Sequence, residues 1–185
     1  MKEFELDRIL KEGKLTSEIE LEQASIADRK LRLLESDDVV IRNKRKQLRE
    51  LIYAYEQEHW STATKVTNKK IDLSDHAEVL AEKQEEFVQK RKALIKTKLS
   101  RYNLNQQEFG KILGHKNKSY ISELMNGVNP FSLKDIVVIS KLLKIDLDDL
   151  VFKSISAEDQ SKIERTIKSL DKPELKLDRI EFSLV

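Results

Sequence analysis

Cysteine is absent from the 185 residues, which excludes a disulfide framework and thiolate metal ligation. Proline occurs twice and glycine four times. So few chain breakers, with 37% charged residues against a usual quarter or so, point to helices with heavily solvated faces. No stretch reaches the roughly 18 consecutive apolar residues of a membrane span. The acidic opening Met1-Lys2-Glu3-Phe4-Glu5 matches neither a secretory signal nor a transit peptide. A soluble cytoplasmic protein with no membrane partner is expected. The 39% of apolar residues suffices for one ordinary core or two small ones.

Catalytic constellations are also lacking. Neither a glycine-rich phosphate loop nor a nucleophile motif occurs. The three histidines, His59, His76 and His115, have no sequence partners that form a ligand set. Glu56 and His59 stand at the i, i+3 spacing of a di-iron pair, but a second such motif is missing. The expectation is a non-enzyme with no catalytic residue, no cofactor and no metal.

Charge is unevenly spread. Between Lys90 and Lys134 ten Lys or Arg stand against two acids, Glu108 and Glu123, giving +8; with +2 overall, the rest of the chain carries −6. A basic segment in a near-neutral chain suggests a polyanionic partner for that segment.

Along the chain the signals are helical throughout. Residues 1–15 fit a short helix through Phe4, Leu6, Ile9 and Leu10, or the start of a strand. Ser17 with Glu20 reads as a capping box opening a helix to about Glu35. Asp37 or Asp38 can cap the next, which carries Leu48, Leu51, Ile52 and Tyr55 to about Trp60. Joined by Ser36-Asp37, the two predict an antiparallel hairpin. Residues 61–73 lack helical periodicity and read as a linker, with a new helix from about Ser74 to Arg101.

From Asn105 the pattern tightens. Asn105 with Glu108 opens a helix containing Phe109, Ile112 and Leu113, and Gly114 supplies a left-handed stop. A second short helix, about Lys118 to Met125, ends at Asn126-Gly127. Ser132 with Asp135 then opens a third, running to about Leu143, before a short final helix around Leu147 to Val151. Ser156 with Asp159 caps one more, ending near Leu170, and the tail from Leu175 alternates imperfectly. The fold class expected is all-α: an N-terminal helical hairpin region followed by a C-terminal helix-turn-helix domain that resembles the lambda-repressor fold. The division is 1–73, including the linker 61–73; 74–153; and 154–185 as a C-terminal helix and tail.

The run Asn105-Gln-Gln-Glu-Phe-Gly-Lys-Ile-Leu-Gly114, then Ile121-Ser-Glu-Leu-Met-Asn-Gly127, then Leu133 through Leu150, resembles the Xre/Cro-repressor family of helix-turn-helix regulators. Lys144 stands where that family has glycine. Upstream, Leu51-Ile-Tyr-Ala-Tyr-Glu-Gln-Glu-His-Trp60 is similar to a block that precedes the helix-turn-helix in HigA-type antitoxins, with Ser61-Thr62 in place of its Pro-Ile. The resemblance implies an antitoxin that neutralises a RelE-like toxin and represses its own operon.

In such a domain the second short helix enters the major groove and offers its leading residues to base edges. Lys116, Asn117, Lys118, Ser119, Tyr120 and Ser122 are therefore the candidate base readers. Lys donates to guanine O6/N7, and Asn can pair bidentately with adenine. Gln106 matches the family position that donates to a phosphate, and Lys134 is placed to do the same. The expected partners are double-stranded operator DNA, palindromic because two-fold dimers read palindromes, a second copy of the chain, and the toxin. The readings set against this one are a stand-alone Xre-family repressor and a protein-interaction scaffold with a degenerate helix-turn-helix.

Overall fold

The computed structural model describes residues 3–34, 38–61, 66–170 and 174–176. Among these every regular element is helical: α1 (Leu6–Glu12), α2 (Glu18–Leu34), α3 (Val39–Trp60), α4 (Asn68–Arg101), α5 (Gln106–Leu113), α6 (Lys118–Met125), α7 (Leu133–Leu143), a 3-10 turn at Leu147–Asp149, and α8 (Ala157–Ser169). The fold is all-α, as the sequence pattern implies. Residues 1–15 resolve as a helix rather than a strand, closed by Gly13 in the left-handed region.

The hairpin of α2 and α3 is antiparallel. Tyr55 Oη and Trp60 Nε1, late on α3, both donate to the carboxylate of Glu18 at the start of α2, at 3.1 and 3.1–3.2 Å. The box expected at Ser17 is shifted by one residue. The Glu20 carboxylate accepts from Thr16 N and Oγ1 at 2.8 and 2.7 Å, while Ser17 Oγ accepts from Glu20 N at 3.4 Å. On α3, Asp38 is the cap, accepting from Val40 N and Ile41 N.

The expected linker 61–73 is shorter than the pattern implies. Thr67 Oγ1 accepts from Lys70 N and starts α4 at Asn68, six residues before Ser74. Lys70 explains why this polar turn holds. Its ammonium lies 4.4 Å from the centroid of the Trp60 ring and donates to the His59 carbonyl, so a segment without an apolar stripe is anchored by one cation.

The resulting 34-residue helix buries side chains along much of its length. Its middle turns bury Ala77, Leu80, Ala81 and Val88, and α2 packs on it. Its last turns give Ile95 and Leu99 to a core completed by Phe109, Leu113, Ile121, Leu124, Met125, Phe131, Ile136, Ile139, Leu143, Ile145 and Leu150. The other core gathers Phe4, Leu6 and Ile9 with Leu21, Ala24, Ala27 and Leu31 of α2, and Ile41, Leu48 and Tyr55 of α3. Val128, from the loop after α6, belongs to this second core. The described residues up to Phe152 form one compact unit. The chain from Lys153 is a separate unit, in which Ser156 Oγ accepts from Asp159 N at 3.0 Å and opens α8. The alternating tail lies outside the described residues apart from 174–176.

Candidate nucleic-acid interface

Local chemistry sets each end of α5 and α6. Asn105 Oδ1 accepts from the backbone N–H of Gln107 and Glu108, both at 2.9 Å, and the Glu108 carboxylate in turn accepts from Asn105 N at 2.8 Å. Gly114, at φ +91°, closes α5. Ser132 and Asp135 form the same reciprocal box at the start of α7. Between α5 and α6 the approach is close: a Cβ on Gly110 would stand 3.2 Å from the His115 carbonyl oxygen and 3.3 Å from Ile121 Cβ. His115 closes the turn, its Nε2 3.2 Å from Asp135 Oδ2. It is thereby tied to α7 and occupied in holding the turn.

The candidate base readers divide into three groups. Lys116, Asn117 and Lys118 are exposed at the leading tip of α6. Asn117 is also the N-cap, its Oδ1 accepting from Ser119 N at 2.8 Å and Tyr120 N at 3.2 Å. Bidentate pairing of that amide with adenine requires the cap to be released; the amide N–H₂ alone is free of that role. Tyr120 turns inward. It is half-buried against the core beside the His115 ring, 5.3 Å centroid to centroid, and burial above all pushes its hydroxyl pKa up. The i, i+3 and i+4 geometry of α6 directs it toward the packed side.

Ser119 and Ser122 are half-buried and each has a partner. Ser119 Oγ donates to Asp38 at the head of α3. Ser122 Oγ accepts from Gln106 Nε2 at 2.9 Å, so the expected phosphate donor is bound to a candidate base reader across the turn. Lys134 is exposed in the first turn of α7.

Sequence reasoning misses the company α6 keeps. At 100° per residue, Ser119, Glu123 and Asn126 fall on the side of α6 opposite the buried Ile121, Leu124 and Met125. All three meet the rest of the molecule. Glu123 is 1% exposed; its carboxylate accepts from Lys44 of α3 and from Asn129 Nδ2 at 2.7 Å. The Asn126 carbonyl accepts from Lys30 of α2 at 2.6 Å, and its Oδ1 from Lys92 of α4 at 2.6 Å. The loop that follows is pinned by α1, whose leading Leu6 and Asp7 N–H groups donate to the Val128 carbonyl and Asn129 Oδ1, both at 3.1 Å. A helix start has unpaired N–H groups to satisfy, and here the loop satisfies them.

The basic segment is likewise less uniform than its composition. Arg91 is 2% exposed, held by both Glu3 oxygens at 2.8 and 2.9 Å and by the Leu150 carbonyl at 3.0 Å. It lies 5.2 and 5.4 Å from the centroids of the Phe87 and Phe131 rings. Arg91 is a structural cation and contributes nothing to an exposed polyanion surface.

Two short helices meeting at a tight turn, buttressed by α4 and α7 around a shared core, define a helix-turn-helix domain. Residues 95–150 match the family model described as helix-turn-helix. Residues 1–94 and 151–185 lie outside that match. No curated protein and no solved structure matches the chain. Among the described residues no helix is long and apolar enough to cross a membrane.

Proposed function

We propose that the chain is a sequence-specific repressor that binds a palindromic operator as a homodimer, without catalytic activity of its own. We propose further that it is the antitoxin of a type II HigBA-like pair, neutralising a RelE-like toxin and repressing its own operon. The observation that carries the DNA-binding half is the exposed tip Lys116-Asn117-Lys118, presented by a capped helix of a helix-turn-helix. Cations at that tip can reach both base edges and phosphates. The antitoxin half rests on the resemblance of residues 51–60 to the block found ahead of the helix-turn-helix in HigA-type regulators.

A gel-shift titration with the DNA upstream of the chain's own reading frame tests the first half, and co-purification with the product of the neighbouring small reading frame tests the second. A salt-sensitive, sequence-selective shift supports the regulator. Its absence favours the second reading, an interaction scaffold. That reading is supported by the engagement of Ser119, Glu123 and Asn126 with α2, α3 and α4, because those side chains face outward from the helix-turn-helix core.

A further inference from the structure

The first half of α3 is a second strongly basic segment. Residues 39–49 hold Arg42, Lys44, Arg45, Lys46 and Arg49 and no acid. The buried stripe of this helix is Ile41, Leu48 and Tyr55, at intervals of seven. Lys44 and Arg45, flanking that stripe, turn inward to ion pairs, Lys44 with Asp7 and Glu123, and Arg45 with Asp28 at 3.0 Å. Arg42, Lys46, Arg49 and Tyr53 follow one another at intervals of four, three and four, so they share one face. All four are exposed and line one surface groove together with Arg45 and Glu50.

The position of this face matters as much as its charge. Asp38, the cap of α3, touches Ser119 in the first turn of α6. The basic helix therefore starts at the tip that carries Lys116 and Lys118. At about 1.5 Å per residue, Arg42 lies roughly 6 Å and Arg49 roughly 16 Å along the α3 axis from Asp38. Duplex DNA seated on the tip brings a backbone carrying about one charge per 1.7 Å past this helix. Guanidinium groups suit phosphate oxygens, which they can grip with two parallel N–H donors, and a tyrosine hydroxyl is a further phosphate donor. An acidic protein surface would also be attracted, but continuity with the helix-turn-helix tip favours the nucleic acid.

We propose that the Arg42–Lys46–Arg49 face of α3 binds the phosphate backbone of DNA flanking the site approached by α6. The inference rests on the DNA-binding reading and extends its footprint beyond the helix-turn-helix. It also gives the N-terminal helices a role at the interface, where they stand beside α6.

The test uses the full-length chain carrying Arg42→Gln, Lys46→Gln and Arg49→Gln together, titrated against its upstream DNA and an unrelated duplex from 50 to 200 mM salt. Each phosphate left without its cation reduces the log–log salt slope by about 0.9, so the triple variant is expected to fall by about 2–3. Over that range the wild type then loses about 40-fold more affinity than the variant. The ratio between specific and unrelated DNA stays the same, because phosphates carry no base identity. A thermal melt checks that the exposed substitutions leave the fold intact. Should the triple variant fail to fold, Lys46→Gln alone is expected to lower the slope by about 1. A wild-type slope in the folded variants overturns the inference while leaving the regulator standing, and a loss of protein partner binding with that unchanged slope assigns the face to an acidic protein. If the wild-type chain shows no salt-dependent binding to any duplex, the DNA-binding reading fails and this inference with it.

Discussion

Lys44 on α3 and Glu123 on α6 are joined at both carboxylate oxygens, with Nζ 3.0 Å from Oε1 and 2.9 Å from Oε2. The same ammonium is 2.8 Å from Asp7 of α1. One cation thus ties the first, third and sixth helices together at the helix-turn-helix. Burial pushes the Glu123 carboxyl above its ordinary pKa, more than Lys44 and Asn129 draw it down. Burial acts downward on Lys44, but hydrogen bonds to Asp7 and Glu123 outweigh it and hold its pKa above the ordinary Lys value.

Replacing Lys44 by Met is expected to destabilise the fold by about 2–3 kcal/mol at neutral pH, near the low end for breaking a buried pair, because Lys44 retains some solvent access. The loss should depend on pH with a definite sign. In the variant the Glu123 pKa rises further, so the folded state holds a proton that the unfolded state has released. Stability then falls as pH rises from the ordinary Glu range through the folded-state pKa. Urea melts of both proteins at several pH values check this: the gap is small at pH 4 and widens toward pH 7. A gap that narrows over that range would show the pair to be unimportant for stability.

Lys144 closes α7 in the left-handed region, at φ 51° and ψ 55°. A side chain there costs about 1–2 kcal/mol relative to glycine, partly offset by the flexibility glycine adds to the unfolded chain. Lys144→Gly is expected to stabilise the protein by about 1 kcal/mol, and at an exposed position it should do so without altering DNA binding. A lowered melting temperature would contradict the strain argument.

Gly127 has φ +65°, and a Cβ there would stand 2.8 and 2.9 Å from the two Val88 methyl carbons of α4. Gly127→Ala is expected to cost about 2–4 kcal/mol, combining left-handed strain with overpacking. Only the second part depends on Val88. In a Val88→Ala background the same substitution should therefore cost measurably less, with a coupling of about 1 kcal/mol or more. Independent, additive effects in the double-mutant cycle would mean that the loop moves away from α4 rather than pressing on it.

Capping chemistry makes the helix-turn-helix legible in the sequence. Asn105, Gly114, Ser132 and Asp135 act on backbone groups within a few residues of themselves, so spacing alone reveals them. Ser156 is read the same way at α8. The start of α4 escapes such a reading because its cap, Thr67, is followed at the third helical position by Lys70 instead of an acid, and the further hold of Lys70 on Trp60 is a contact between helices that no local pattern carries. Ser119 and Glu123 look, in sequence, like free polar residues on a short helix. Their partners, Asp38 and Lys44, are 81 and 79 residues away along the chain, and only packing brings them together. The basic half of α3 is present in the composition but disappears when the N-terminal region is summed as a whole, because the 15 acids of residues 1–73 balance the 15 Lys and Arg there.

The structure sharpens what substitutions at the tip of α6 should do. Lys118 is exposed, whereas Ser119 gives its hydroxyl proton to Asp38 and is half-buried against the fold. If both read bases, the pair Lys118→Ala and Ser119→Ala abolishes selective binding, each base reader contributing about 1–3 kcal/mol of discrimination. The single variants separate their roles. Lys118→Ala should reduce preference for the operator by about tenfold with an unchanged melting temperature, a value inside that range. Ser119→Ala should lower the melting temperature as well, since it leaves the Asp38 carboxylate without its hydroxyl donor. Lys134→Ala supplies the contrast: removing a phosphate-binding cation from the start of α7 lowers the salt slope by about 1 and leaves selectivity alone. Selectivity that survives the double substitution at 118 and 119 would show that another helix approaches the bases.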